Sequence, residues 1–428
     1  MMKKNHKETR WHKLDNTANI FPVIASENLS NVYRISVTLK EDIKPELLQE
    51  ALDTVLPWFE VFNVRLRRGI FWYYFETNRH RPVVELESNY PCRYIDPYNN
   101  YKFLFRVSYY QKRINLEVFH VLTDGMGAIT FLKELTYQYL RLCEPKFRDC
   151  VEAKPSRECS LNIEDSYLKY YKKSDAKGYK TKKAYQLKGK FMPPTVMGVV
   201  HGYIEIPSLK AACKIYDVSI NQYLVAQLLW SIYTEYLNKQ ICKEPICINI
   251  PMNLRKIFES STTKNFFAVL LAEFESDRED YTFEEILEKV TNNLKKQMTK
   301  EHLQGLISYN VSNEKRFYVR AVPLFIKNIA IKYIYHNSSK AFTTTITNLG
   351  SISVLDEFQD YIDKFHLVLS VSKKQSLKCS VCSYKDELVF TFASVLTDMN
   401  LAKTFFRNLA LQGIRVSIES NGVYNEEM

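Results

Sequence analysis

The sequence is short of several things, and each shortage removes a class of protein. Glycine is scarce, 11 in 428 residues, and no Pro/Ser/Gly tract marks a disordered linker. Apolar runs such as FFAVLLAEF (266–274) are far too short to cross a bilayer, so no transmembrane segment is expected. The basic N-terminus MMKKNHKETRWHKLDN has no apolar stretch behind it, which makes a secretory leader unexpected and the cytoplasm the default location. Nine cysteines (92, 143, 150, 159, 213, 242, 247, 379 and 382) follow no regular spacing and are odd in number, as reduced thiols would be. CSVC at Cys379–Cys382 lies in a strand-like run that would send its thiols to opposite faces, and no second pair completes a zinc site. There is no G-x-S-x-G elbow, no HExxH and no Gly-rich phosphate loop.

What is present is a globular chain, 46% hydrophobic and long enough for two cores. The formal net charge of +11 is concentrated between Lys169 and Lys190, which holds nine lysines and one aspartate. It reads as a solvated connector, the alternative being an electrostatic guide for an anionic partner. No nucleic-acid-binding signature accompanies it. The organisation expected is an N-terminal half at 1–150, a basic crossover at 151–198 and a C-terminal half at 199–428, both halves α/β. NVYRISVTLK (31–40) and VRLRRGIFWYYFE (64–76) read as strands on either side of a helix that opens near Pro45. YKFLFRVSYY (101–110) and INLEVFH (114–120) read as a hairpin leading into a helix over 126–142. In the C-terminal half, Ser219 and Gln222 are spaced as a capping box before a helix over 219–237. Strands are expected at 199–207, 245–252, 266–274, 342–349 and 364–372, and a last hairpin at 378–394 precedes a helix over 401–412.

EVFHVLTDGMGAITFL (117–132) has an echo in TFASVLTDMNLAKTFF (391–406). Shifted by 274 residues, 104–138 and 378–412 agree at eleven of 35 positions, across a whole hairpin–loop–helix unit. Two related halves account for this. The echo keeps the aspartate (Asp124, Asp398) but replaces the histidine (His120, Ser394). An aspartate retained without a base is expected to shape the loop or cap the helix. His120 is what only one copy has. Alternation puts Leu116, Val118 and His120 on one strand face, and a strand end opening into a loop suits a general base. The bland alternative is a core histidine bonded to a carbonyl. His120 and Asp124 lack a third metal ligand, so no metal is expected.

HVLTDG fits the HxxxDG signature of the chloramphenicol acetyltransferase-like superfamily, which includes condensation domains and bacterial alcohol O-acetyltransferases. RWHKLDNTANIFP near the start resembles the opening of the bacterial alcohol acetyltransferase-like branch. INIPMNLRKIF…KNFF resembles the superfamily's second-domain segment, with an arginine followed by an asparagine–aromatic turn. Two departures set limits: Phe119 stands where condensation domains usually carry a first histidine, and TNLGS replaces the plant branch's DFGWG.

The resemblance implies an α/β fold of two pseudo-duplicated halves with an active-site tunnel between them. A thioester donor, acyl-CoA or acyl-phosphopantetheine on a carrier protein, and a small alcohol acceptor would meet at His120. His120 would act as general base without an acyl-enzyme, and no bound cofactor is implied. Asp124 would pair with Arg255, and Gly125 would let the chain turn and approach the substrate closely. For the oxyanion, Thr345, Thr347 and Asn348 are the candidates. Besides O-acyl transfer, two readings of the same fold stay open: condensation-type amide formation on carrier-bound substrates, and a non-catalytic carrier- or lipid-binding protein. The lysine cluster's anionic partner would then be coenzyme A phosphates or an acidic carrier protein.

Overall fold

A computed structural model describes residues 10–147, 154–173 and 182–424. The strands in chain order are β1 (Trp11–Lys13), β2 (Val32–Leu39), β3 (Val64–Arg68), β4 (Tyr73–Thr77), β5 (Glu85–Leu86), β6 (Phe105–Tyr110) and β7 (Arg113–Phe119). They continue with β8 (Gly198–Glu205), β9 (Ile246–Asn253), β10 (Phe267–Phe274), β11 (Thr344–Ser351), β12 (Ile362–Leu369), β13 (Leu377–Tyr384), β14 (Glu387–Ser394) and β15 (Val416–Ser420).

Two sheets carry the architecture. The first has the order β5-β6-β7-β2-β12, and the second contains β11-β13-β14-β8-β15 extended at the β11 edge by β9 and β10. The five-strand cores match. In each, the outermost strand pairs parallel (β5 with β6, β11 with β13) and every other pair within the core is antiparallel. The repeat seen in the sequence is therefore a repeat of whole sheets, and the molecule has two lobes. They are not chain-separate, because β12 from the C-terminal part pairs with β2 along its length and closes the first sheet.

Local chemistry explains most elements. Pro45 starts the helix Pro45–Val55, which buries Leu48, Ala51, Leu52 and Val55 at helical spacing; each large apolar side chain so buried contributes about 1.5–3 kcal/mol. Ser219 and Gln222 form the reciprocal capping box that opens Ile220–Leu237. Residues 64–76 are not one strand but the hairpin β3–β4, closed by the Gly69 N–H on the Trp72 carbonyl at 2.9 Å. Gly69 is the turn signal inside an otherwise strand-like run. Three helices, Phe283–Gln297, Lys300–Lys315 and Leu324–Ser338, fill a stretch to which the sequence pattern assigned no element.

The CSVC thiols do part company. Cys379 joins the core of the second lobe and Cys382 that of the first. Of the basic stretch, 174–181 lie outside the described residues, as does Cys150. Lys182 and Lys183 reach Glu275 and Glu244 at 2.6 and 2.7 Å.

In β8 a side chain at Gly202 would collide with the ring of Phe406, which lies over the strand from the closing helix Asn400–Leu411. Gly202→Ala is expected to destabilise the second lobe by about 1–3 kcal/mol through overpacking, measured as a lowered midpoint in thermal or urea denaturation.

Candidate active site

β7 ends at Phe119, and the next residue, His120, is anchored by its N–H on the Asn31 carbonyl at 3.0 Å. Its ring stacks on Phe21 (centroids 4.6 Å apart, planes 18° apart) and meets the edge of Tyr33 at 5.1 Å. Phe267 at the start of β10 lies 5.8 Å away from the other lobe. The imidazole is walled by aromatic rings yet keeps part of its surface open.

The proton on this ring is placed by a chain of amide and carboxylate. Asn265 Nδ2 donates to Asp15 Oδ2 at 2.9 Å, so Asn265 Oδ1 faces His120 Nδ1 at 3.1 Å. An amide oxygen only accepts, so Nδ1 carries the hydrogen and Nε2 keeps its lone pair. Burial lowers the His120 pKa below the ordinary histidine value, against smaller raising effects of Asp124 and Asn265. At neutral pH the ring is therefore a neutral base. Asp15 is pushed up to about 7, chiefly by burial, although its bonds from Asn265 and the Ala18 N–H favour the anion.

Asp124 is engaged on both carboxylate oxygens. Oδ1 accepts from the Met126 and Gly127 N–H groups at 3.1 and 3.3 Å, capping the helix Gly125–Cys143. From the other lobe come Arg255 Nη1 and Nη2 at 2.8 and 2.9 Å and the Phe266 N–H at 2.9 Å. The guanidinium is held in turn by the Thr262 and Lys264 carbonyls at 2.8 and 2.6 Å. With its acceptor sites filled, Asp124 is suited to holding the loop in shape and not to exchanging a proton. Gly125 is the first helical residue and its φ is not in the left-handed region. What its missing side chain admits is Leu349 of β11, whose Cδ1 would stand 2.9 Å from a Cβ. Gly127 is the tighter position: a Cβ there would collide with Thr123 Oγ1 and the Thr263 carbonyl.

Facing this loop is one face of the second sheet. Along β10 the residues Phe267, Val269 and Leu271 are half-buried while Ala268, Leu270 and Ala272 are buried in the core. Thr345, Thr347 and Leu349 of β11 are likewise half-buried, and Leu349 lies against the loop at Gly125. The interlobe surface at this end is thus an apolar floor with two hydroxyls. Asn348 alternates to the opposite side of β11, and its Oδ1 accepts from the Gly350 N–H at 2.8 Å. In the unarmed corner, the Ser394 hydroxyl accepts from the Leu396 N–H at 2.9 Å. Asp398 there makes a longer bond, 3.4 Å, to the Asn400 N–H. Among the described residues no group of three or more His, Cys, Asp and Glu converges as a cation site.

Two polar residues of this site received no role from the sequence, Asp15 and Asn265. Both lie in segments recognisable by resemblance, LDNTANIFP and KNFF, but 250 residues separate them and nothing local signals their bond. Removing either partner of the Asp124–Arg255 pair would leave a charge in a dry setting. Asp124→Ala and Arg255→Met are each expected to cost about 3–5 kcal/mol. Urea denaturation would show it, with the double variant losing much less than the sum of the singles.

Residues 263–407 match the family model for the WS/DGAT C-terminal domain. The comparison with curated proteins finds no sequence match. Among solved structures, the trichothecene 15-O-acetyltransferase of Fusarium sporotrichioides superposes with a TM-score of 0.63 at 10% identity, covering 94% of both chains. The wax ester synthase/diacylglycerol acyltransferase of Marinobacter aquaeolei VT8 gives 0.54 at 12% identity, covering 94% of this chain and 100% of its own. The starter condensation domain of rhizomide synthetase, in complex with C8-CoA and Leu-SNAC, gives 0.57 at 13% identity, covering 94% and 93%. The chain therefore has the two-lobed fold of these acyltransferase and condensation-domain structures.

Proposed function

We propose that the protein is an acyltransferase that moves an acyl group from a thioester to a hydroxyl acceptor, with His120 as the general base. One observation carries this reading: His120, with Nδ1 3.1 Å from Asn265 Oδ1 and no hydrogen-bond partner at Nε2 among the described residues, stands partly open beside the interlobe face. The acceptor O–H gives its proton to Nε2 as its oxygen adds to the thioester carbonyl. The tetrahedral oxyanion then collapses, the C–S bond breaks, and the leaving sulfur takes the proton back from the imidazolium. Acceptor proton, acyl group and thiol are all accounted for without an acyl-enzyme. Thr345 or Thr347, on the face opposite the loop, is the proposed oxyanion donor, and Asn348 is set aside because it alternates to the other side of the strand. The tunnel implied by the resemblance would run between that face and His120.

The rhizomide synthetase condensation domain holds C8-CoA in its complex, which supports acyl-CoA as donor here. The same neighbour supports a second reading, in which the acceptor is an amine and the donor sits on a carrier protein. Free-thiol release separates the two. Turnover of acetyl- or longer acyl-CoA with alcohols but not amines supports O-acyl transfer; turnover only with a loaded carrier protein and an amine supports condensation.

His120→Ala is expected to lower kcat by about 10²–10⁴-fold, and unchanged turnover would end the mechanism. Because the folded-state pKa of His120 is depressed, the base form persists as pH falls through the ordinary histidine range. The acid limb of kcat/KM should then have its midpoint below 6.5. Asn265 is a positioning residue. Asn265→Leu removes a bond that favours the charged ring, so it should move that limb to still lower pH while lowering kcat by up to about 10²-fold through misplacement. A stability defect alone would leave the limb where it was.

A further inference from the structure

The interlobe face contains a cation that the proposed reaction does not use. Lys378 lies on β13, which pairs Thr347 of β11 with Ser380 and Lys378 with Ala393 of β14. Alternation puts Lys378 and Ser380 on one side of β13. That side looks across at the first lobe, since Ala393 and its neighbour Val199 belong to the first lobe's core and the Ser380 hydroxyl donates to the Leu367 carbonyl of β12. Thr345 is on the same side, two residues before Thr347, and β11 pairs it with Asn249 of β9. Asn249 in turn faces Leu271, on the half-buried side of β10 that begins with Phe267 beside His120. Asn249, Thr345 and Lys378 thus share the face onto which His120 opens, Asn249 and Lys378 on the strands flanking that of Thr345.

Two of these groups stand without partners among the described residues. Lys378 is half-buried, and no carboxylate there pairs with it. Burial alone lowers its pKa to about 8, so near neutral pH it still carries its proton, close enough to His120 to oppose protonation of that ring. Asn249 Oδ1 is buried with no hydrogen-bond partner among the described residues. Its amide also carries Nδ2, a donor suited to an anionic ligand. The Thr345 hydroxyl adds a third donor, which leaves Thr347 as the oxyanion donor of the proposed reaction. One cation and two neutral donors on an otherwise apolar floor match one negative charge spread over two oxygens.

We propose that Lys378, flanked by Asn249 and Thr345, binds a carboxylate carried by one of the two substrates that meet at His120. The substrate class is accordingly a dicarboxylic acyl thioester or a hydroxy acid. This rests on the acyl-transfer reading, and the test keeps the two apart. In one arm succinyl-CoA is compared with its uncharged isostere 4-methylpentanoyl-CoA, with a common alcohol. In the other 4-hydroxybutyrate is compared with 4-methylpentan-1-ol, with a common acyl-CoA. In the wild-type protein one arm is expected to favour the carboxylate by about 10- to 100-fold in kcat/KM, and K378Q and K378M are expected to collapse that ratio. Absence of preference in both arms, or a preference that survives in the variants, overturns the proposal. Calorimetric binding of succinyl-CoA and 4-hydroxybutyrate is measured alongside, independent of turnover. If no thioester is turned over, binding weakened about tenfold or more in both variants keeps the carboxylate site while the activity reading fails. Equal binding, or none by the wild type, overturns the site as well. Both variants remove an uncompensated charge, so their melting temperatures should not fall below that of the wild type.

Discussion

The Asp124 carboxylate is where the two lobes are tied together, and the loop from His120 to Gly127 depends on it. It caps the first lobe's long helix while receiving a two-pronged guanidinium and a backbone N–H from the second. Arg255 and Asp124 are each about nine-tenths withdrawn from water, at 11% and 10% side-chain exposure. A pair so placed is tolerable only when its remaining hydrogen-bonding positions are filled, and here they are, by the Thr262 and Lys264 carbonyls and the helix N-terminus. The loop from His120 to Gly127 is consequently held at its C-terminal end by charge and at its N-terminal end by β7. The imidazole between them has little freedom to leave its place.

Two carboxyl groups near one histidine have different duties because their surroundings differ. Asp124 is surrounded by donors that hold it in place. Asp15 sits in a drier place, is pushed up to about 7, and reaches the ring only through Asn265. That relay sets which nitrogen of His120 carries hydrogen without placing an anion against the ring. The aromatic walls of Phe21, Tyr33 and Phe267 do the rest, keeping the imidazole neutral by excluding water.

The two corners of the duplicated architecture differ, one carrying His120 and the other Ser394. Both corners follow a hairpin and open a helix, but only the first receives an arginine clamp from the opposite lobe among the described residues. Asp398 makes a 3.4 Å bond to the Asn400 N–H, and its helix is capped by Met399 without a side-chain bond. β12 comes from the C-terminal part yet pairs with β2 in the first sheet, and the Ser380 hydroxyl of β13 donates to its Leu367 carbonyl, so the two lobes are joined through β12.

Local signals are readable from the chain alone. A capping box needs only Ser219 and Gln222 three residues apart, and a strand ending at His120 needs only alternation. The repeat at a 274-residue offset exposes both the doubled fold and the histidine as the odd residue out. The hairpin of 64–77 passes for a single strand because the apolar content of GIFW outweighs its one glycine. What required the folded protein were relations between distant segments: β12 leaving its own half, Asn265 joining Asp15 to His120, and Lys378 arriving on the same floor as Asn249. A sequence pattern reports which way a side chain points within its own element, since that follows from backbone geometry. Which element lies opposite is decided only when sheets pair and pack, because those contacts couple residues hundreds of positions apart.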